Sequence, residues 1–191
     1  KSGAGDLTFD QVHTYSGPTT ISDGKLKTAS TGSLSSSTAL SVSSGATYEL
    51  GSDEEVASIA GEGSINLGEH QLTAGGLGTD TTFGGVISGT GGLTKIGSGH
   101  LDLSGINTYT GATNVSAGKL TINNTGGLNR ATALSVASGA TYGFGSDQEV
   151  ASIEGDGTIR VRENRLKVGG SGADTAFGGE ISGTGGLTKT G

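Results

Sequence analysis

The sequence predicts an all-β fold, a parallel β-solenoid of short stacked coils. Three observations carry that reading. Displaced by 94 positions, the 191-residue chain matches itself without a gap, and more than half of the aligned residues are identical. Short Val/Ile/Leu/Thr/Tyr runs alternate with polar residues between Gly, Ser, Asn and Asp, the pattern of strands joined by tight corners. Helical spacing is not sustained anywhere, and the 39 glycines would each cost a helix about 1 kcal/mol relative to alanine. In the self-match Lys1 falls on Lys95, Tyr48 on Tyr142, Phe83 on Phe177 and Leu93 on Leu187. A gapless repeat of this kind belongs to stacked architectures.

The strands follow from the alternation. His100-Leu101-Asp102-Leu103, Lys119-Leu120-Thr121-Ile122 and Thr158-Ile159-Arg160-Val161 each place apolar residues on one side and polar residues on the other. Gly99, Gly118, Gly139 and Gly157 precede such segments at intervals of 19, 21 and 18 residues. Equal division at that spacing gives about five coils per repeat and about ten in the chain. At about 4.8 Å per coil the rod is about 48 Å long. Residues 1–94 form one unit, 95–188 a second, and 189–191 open a third, within a single segment that has no internal domain boundary. Lys1 and Lys189 share one repeat position, so the chain reads as a piece of a longer protein, with any targeting segment elsewhere.

Composition narrows the function classes. Apolar residues make up 31% and aromatic residues 4%, thin for a globular core but suited to a narrow solenoid interior. Disorder is the competing reading of so much Gly, Ser and Thr. It does not explain why the same positions are apolar in both copies. The net charge of −7 disfavours nucleic acid and anionic membrane surfaces, which need clustered Lys and Arg. The absence of cysteine removes disulfides, thiolate metal sites and thiol nucleophiles together.

Residues 91–120 are the most specific stretch. They run Gly91-Gly92-Leu93-Thr94-Lys95, then Leu101-Asp102-Leu103-Ser104-Gly105-Ile106-Asn107-Thr108-Tyr109-Thr110-Gly111, and end on Val115-Ser116-Ala117-Gly118-Lys119-Leu120. This stretch resembles the passenger-associated transport repeat of monomeric (type V) bacterial autotransporters. Residues 177–189, with Phe177-Gly178-Gly179-Glu180-Ile181-Ser182-Gly183, resemble that family's lead-in. The first copy departs from the pattern at Asp10-Gln11-Val12-His13 and at Pro18, which points to a locally modified corner. The resemblance implies a right-handed parallel β-helix exported from a Gram-negative cell and displayed at its surface. It implies an anchoring C-terminal membrane β-barrel outside this chain and an adhesive or stalk role without catalysis. Partners would be a host-cell surface, extracellular matrix or neighbouring passengers. Coil-by-coil stacking suits such export, because each coil that folds outside the pore buries surface on the one before.

Other motifs read as corner chemistry. Residues 75–83 and 169–177 fit the calcium-binding nonapeptide loosely, but neither match is followed by a second nine-residue copy, which the metal needs. Gly91 to Lys95 lacks the Gly-Lys-Ser/Thr ending of a phosphate loop, and no cofactor motif is present. His13, His70 and His100 replace Asn107, Asn164 and Asp6 of the other copy and show no metal-ligand spacing. Asp53/Asp147, Glu55/Glu149 and Asp80/Asp174 are duplicated acids, whereas a catalytic carboxylate pair is built once. A β-helix enzyme acting on polysaccharide and a calcium-stabilised secreted solenoid stand as the alternatives.

Charge separates the two copies. Residues 1–94 carry 3 basic and 10 acidic residues, and residues 95–188 carry 7 and 8. Much of the change lies at Arg160, Arg162, Arg165 and Lys167. With Ile159, Val161 and Leu166 inward, alternation turns these four outward as a small basic patch, the candidate binding residues. The competing reading is drift on a solvated face.

Overall fold

The computed structural model describes residues 1–123 and 127–191. Among them it contains twenty-three short strands and no helix. All neighbouring strands pair in parallel, each with a strand one turn away along the chain. Three faces result. Face I stacks Asp6–Phe9, Lys25–Thr28, Thr47–Glu49, Ser64–Asn66 and Val86–Ser88. Face II is a nine-stranded sheet that runs from Thr19–Ile21 to Glu180–Gly183. Face III stacks six strands from Glu54–Val56 to Ser152–Glu154. The chain visits them in the order I, III, II: Val86–Ser88, Leu93–Lys95 and His100–Leu103 are one such pass. A last sheet of Gln148–Val150, Arg165–Val168 and Gly186–Lys189 falls in the face I slot of that order. Between the two face I sheets, Asn107 accepts the Ile87 N–H at 3.0 Å and Gln148 accepts the Leu128 N–H at 2.9 Å.

The solenoid makes about nine turns, one fewer than equal division of the repeat predicts. The pairing register gives the reason. On face I, Asp6, Lys25, Thr47, Ser64 and Val86 stack at steps of 19, 22, 17 and 22 residues. Their counterparts His100, Lys119, Thr141, Thr158 and Glu180 stack at the same steps, but on face II. From Val86 to His100 the chain passes only from face I through face III to face II. One 94-residue unit therefore spans four and two-thirds turns. Each copy is rotated by one face relative to the other.

Burial follows the alternation. On the inside of face II, Ile21, Val42, Gly61, Phe83, Leu103, Ile122 and Phe144 form one column, one residue per turn. Phe83 fits a narrow interior because its neighbour in the column is Gly61, at φ 108°. A Cβ on Gly61 would stand 2.1 Å from the Val42 carbonyl oxygen. The second copy repeats the arrangement, with Gly155 bridged to Phe177. Each inward Leu, Ile or Val buried in such a column contributes about 1.5–3 kcal/mol relative to exposure. The modified corner of the first copy still pairs with its neighbour: Val12 bridges Ser33, and the His13 N–H donates to the Ser33 carbonyl at 3.0 Å.

Candidate functional site

Arg160, Arg162, Arg165 and Lys167 all project outward, as alternation requires, but they divide between two faces. Thr158–Arg162 lies on face II, with Ile159 and Val161 inward and Arg160 and Arg162 exposed. The chain then turns through Glu163 and Asn164, where the Asn164 N–H bonds the Val161 carbonyl at 2.8 Å. Arg165–Val168 lies on the last face I sheet, with Leu166 and Val168 inward. The corner thus separates Arg160 and Arg162 from Arg165 and Lys167.

The two halves differ in electrostatics. Lys167 Nζ pairs with Glu149 Oε1 at 3.0 Å, and the Arg165 backbone N–H donates to Asp147 Oδ1 at 2.8 Å. Asp147, Glu149, Arg165 and Lys167 line one shallow depression, so cations there face carboxylates. Arg160 and Arg162 line a second depression with Thr158, Glu180, Ser182 and Gly183. No ion pair engages either guanidinium among the described residues.

Asp53, Asp80, Asp147 and His100 are engaged in holding coils together. Asp53 Oδ1 accepts the Gln71 N–H at 2.9 Å, one turn away, as its counterpart Asp147 accepts that of Arg165. Asp80, in the calcium-like segment, accepts the His100 N–H at 2.9 Å. His100 Nε2 lies 2.8 Å from Thr121 Oγ1, and burial, aided by Lys119, holds its pKa below the usual histidine value. The His13 ring packs against Phe9, tilted by 48° with centroids 4.0 Å apart, and His70 stands 3.9 Å from Asp53. Among the described residues no two histidines meet with an acid, and no group of three His, Asp or Glu side chains could hold a metal ion.

Among the buried polar side chains, the charged types Glu54 and Lys95 were not expected inside from the sequence. Glu54 is 3% exposed, and burial raises its carboxyl pKa above the usual range. Lys95 is 1% exposed, and burial pulls its ammonium pKa down. The signal for both was available. In Glu54-Glu55-Val56 and Leu93-Thr94-Lys95 the polar residue stands two positions from an inward apolar one, so alternation turns it inward too.

Comparison with known proteins accords with this geometry. The model of the passenger-associated transport repeat matches residues 1–27 and 93–122, equivalent segments of the two copies. The chain is 39% identical over 200 residues to the adhesin BmaC autotransporter of Brucella suis biovar 1 (strain 1330), an alignment that covers 96% of this chain. The chain spans 6% of the length of that relative. No solved structure matches. An all-parallel solenoid, the repeat at the same place in both units and an alignment along nearly the whole chain agree: the chain carries the passenger-associated transport repeat and resembles the passengers of bacterial autotransporters.

Proposed function

We propose that this chain is a non-catalytic, surface-displayed segment of an autotransporter passenger. It extends from the outer membrane, where a β-barrel outside this chain anchors it, and contributes to adhesion. The observation that carries the reading is the fate of three of the six duplicated acids. Asp53, Asp80 and Asp147 each accept a backbone N–H from the next turn, so they join coils rather than converge on a substrate. The BmaC relative is named an adhesin, which favours attachment to a host surface, matrix or neighbouring passenger over catalysis. The two units would act as one continuous rod, with residues 189–191 opening a third. Within it, Arg160, Arg162, Arg165 and Lys167 are the contact residues proposed for an acidic partner.

The test is binding of the purified chain to epithelial cells and to itself, beside an Arg160/Arg162/Arg165 triple-alanine variant. Saturable cell binding or self-association supports the adhesive role, and its loss in the variant locates the contact. A chain that binds neither is a spacer, and the adhesive half of the proposal fails.

A further inference from the structure

We infer that Arg160 and Arg162 form a site for the carboxylate of an acidic polysaccharide. The site deepens the adhesive reading above and rests on it. The first observation is backbone strain. Among the described residues Arg162 is the non-glycine residue with positive φ, at 52°. Its counterpart in the first copy is Gly68, at φ 58°. The corner is otherwise the same in both. Gly68 O accepts the Thr90 and Gly91 N–H groups at 2.6 and 3.0 Å and the Thr90 hydroxyl at 3.1 Å. Arg162 O accepts the Thr184 and Gly185 N–H groups and, at 3.2 Å, the Thr184 hydroxyl. The fold needs only a glycine here. An L-residue in the left-handed region costs stability that glycine does not, and such strain gathers where a side chain has a task.

The second observation is that the neighbouring outward position breaks the repeat in the same direction. Arg160 stands where the first copy has Asn66. Pairing with the last face II strand slips between the two arginines: Arg160 is opposite Ser182, and Arg162 is opposite Gly183. Arg160 and Arg162 both line the depression shared with Thr158, Glu180, Ser182 and Gly183, and among the described residues neither is ion-paired. Beyond the corner, Lys167 is already held by Glu149.

The chemistry of the lining selects the ligand. A guanidinium fork matches a carboxylate in two parallel hydrogen bonds. The Thr158 and Ser182 hydroxyls and the Glu180 carboxylate are suited to the hydroxyls of a sugar. Glu180 beside the arginines, on a chain of net charge −7, repels densely charged polyanions. What remains favourable is a hydroxyl-rich chain with sparse carboxylates, lying along an open sheet face.

The experiment titrates the chain with a hexuronate oligosaccharide, its carboxyl-reduced neutral counterpart and a sulfated oligosaccharide of equal length. The variants restore the residues of the first copy, Arg160→Asn and Arg162→Gly. Binding of the hexuronate should weaken at least tenfold in each variant. The melting temperature of Arg162→Gly should rise by about 2–4 °C, so that lost binding is separated from lost folding. Equal affinity for the neutral oligosaccharide, tighter binding of the sulfated one, no binding at millimolar concentration, or undiminished binding by both variants overturns the site. Cell attachment that survives in both variants, while hexuronate binding is lost, leaves the adhesive reading intact and removes this ligand from it.

Discussion

Glu54 and Gln148 fill the same buried position in the two copies and hold equivalent partners. Glu54 accepts the Leu34 N–H at 2.6 Å and the Tyr48 hydroxyl at 2.9 Å. Gln148 Oε1 accepts the Leu128 N–H at 2.9 Å and the Tyr142 hydroxyl at 3.3 Å. The difference is the second arm. Gln148 Nε2 donates to the Leu128 and Glu149 carbonyls, both at 3.1 Å. An ionised Glu54 has no hydrogen to donate, and no cation pairs with it among the described residues. Gln148 therefore has the hydrogen-bonding shape of a protonated Glu54.

A pH-dependent stability follows. Burial raises the folded pKa of Glu54 above its unfolded value of about 4.3, so the folded state favours the protonated carboxyl. That contribution is complete below the unfolded pKa and is lost as pH rises through the folded one. Glu54→Gln should remove the loss and stabilise the chain at pH 7 by about 1–2 kcal/mol, the scale of an unmade buried hydrogen bond. Urea unfolding of both proteins from pH 4 to pH 8 measures it. Parallel stability curves for the two proteins would sink the argument.

Gly85 and Gly45 separate two reasons for glycine at a corner. A Cβ on Gly85 would lie 1.8 Å from the Gly63 carbonyl oxygen of the turn below. Gly45 has positive φ, at 83°, but open space around it. Gly85→Ala must separate two turns and should cost more than about 3 kcal/mol, in the range of severe overpacking. Gly45→Ala carries only the left-handed penalty, about 1–2 kcal/mol. Thermal unfolding of both variants decides, and equal losses would contradict the close approach.

Rotation of the repeat is measurable by distance. Ser41 and Ser135 are equivalent in sequence and both half-buried, yet Ser41 lies on face II and Ser135 on face III. Had the unit been five whole turns, the two would stand above one another at about 24 Å. Spin labels at these positions should be well beyond that separation, because they project from different faces. A distribution centred on the axial value would restore the five-coil unit.

The pattern of the chain made most of the fold legible, and the limits are instructive. Strand alternation turned Ile159, Val161 and Leu166 inward and the four basic residues outward, as the structure has them. It did not reveal that Arg160 and Arg165 look out from different faces, because the corner through Glu163 and Asn164 is only two residues long. The turn count is hidden in the sequence for a related reason. Turns range from 17 to 22 residues with the size of their corners, so counting glycines averages over the partial turn between Val86 and His100. Strain at Arg162 was visible only by comparison, since an arginine opposite a glycine in the self-match says nothing of φ until the backbone is known.

Lys95 tests what the signature lysine of the repeat does. Its Nζ donates to the Ile96 and Gly97 carbonyls at 2.7 and 2.9 Å, and Lys189 Nζ does the same to the Thr190 and Gly191 carbonyls, both at 2.9 Å. Lys1 Nζ likewise donates to the Gly3 carbonyl and, at 3.0 Å, to that of Asp23 in the next turn. The ammonium thus closes a corner whose carbonyls point inward. Lys95→Met keeps the stem packed beside Gly75 and removes the donor. An orphaned buried acceptor costs about 1–3 kcal/mol. Burial of the charge opposes part of that gain, as the lowered pKa of Lys95 records. The net loss should be about 1–2 kcal/mol, measured by urea denaturation. Lys1→Met, at the exposed end of the rod, should lose less, because water replaces the donor there. A Lys95→Met protein as stable as its parent would mean that desolvation of the ammonium outweighs the bonds it makes, and that the lysine serves something other than the fold.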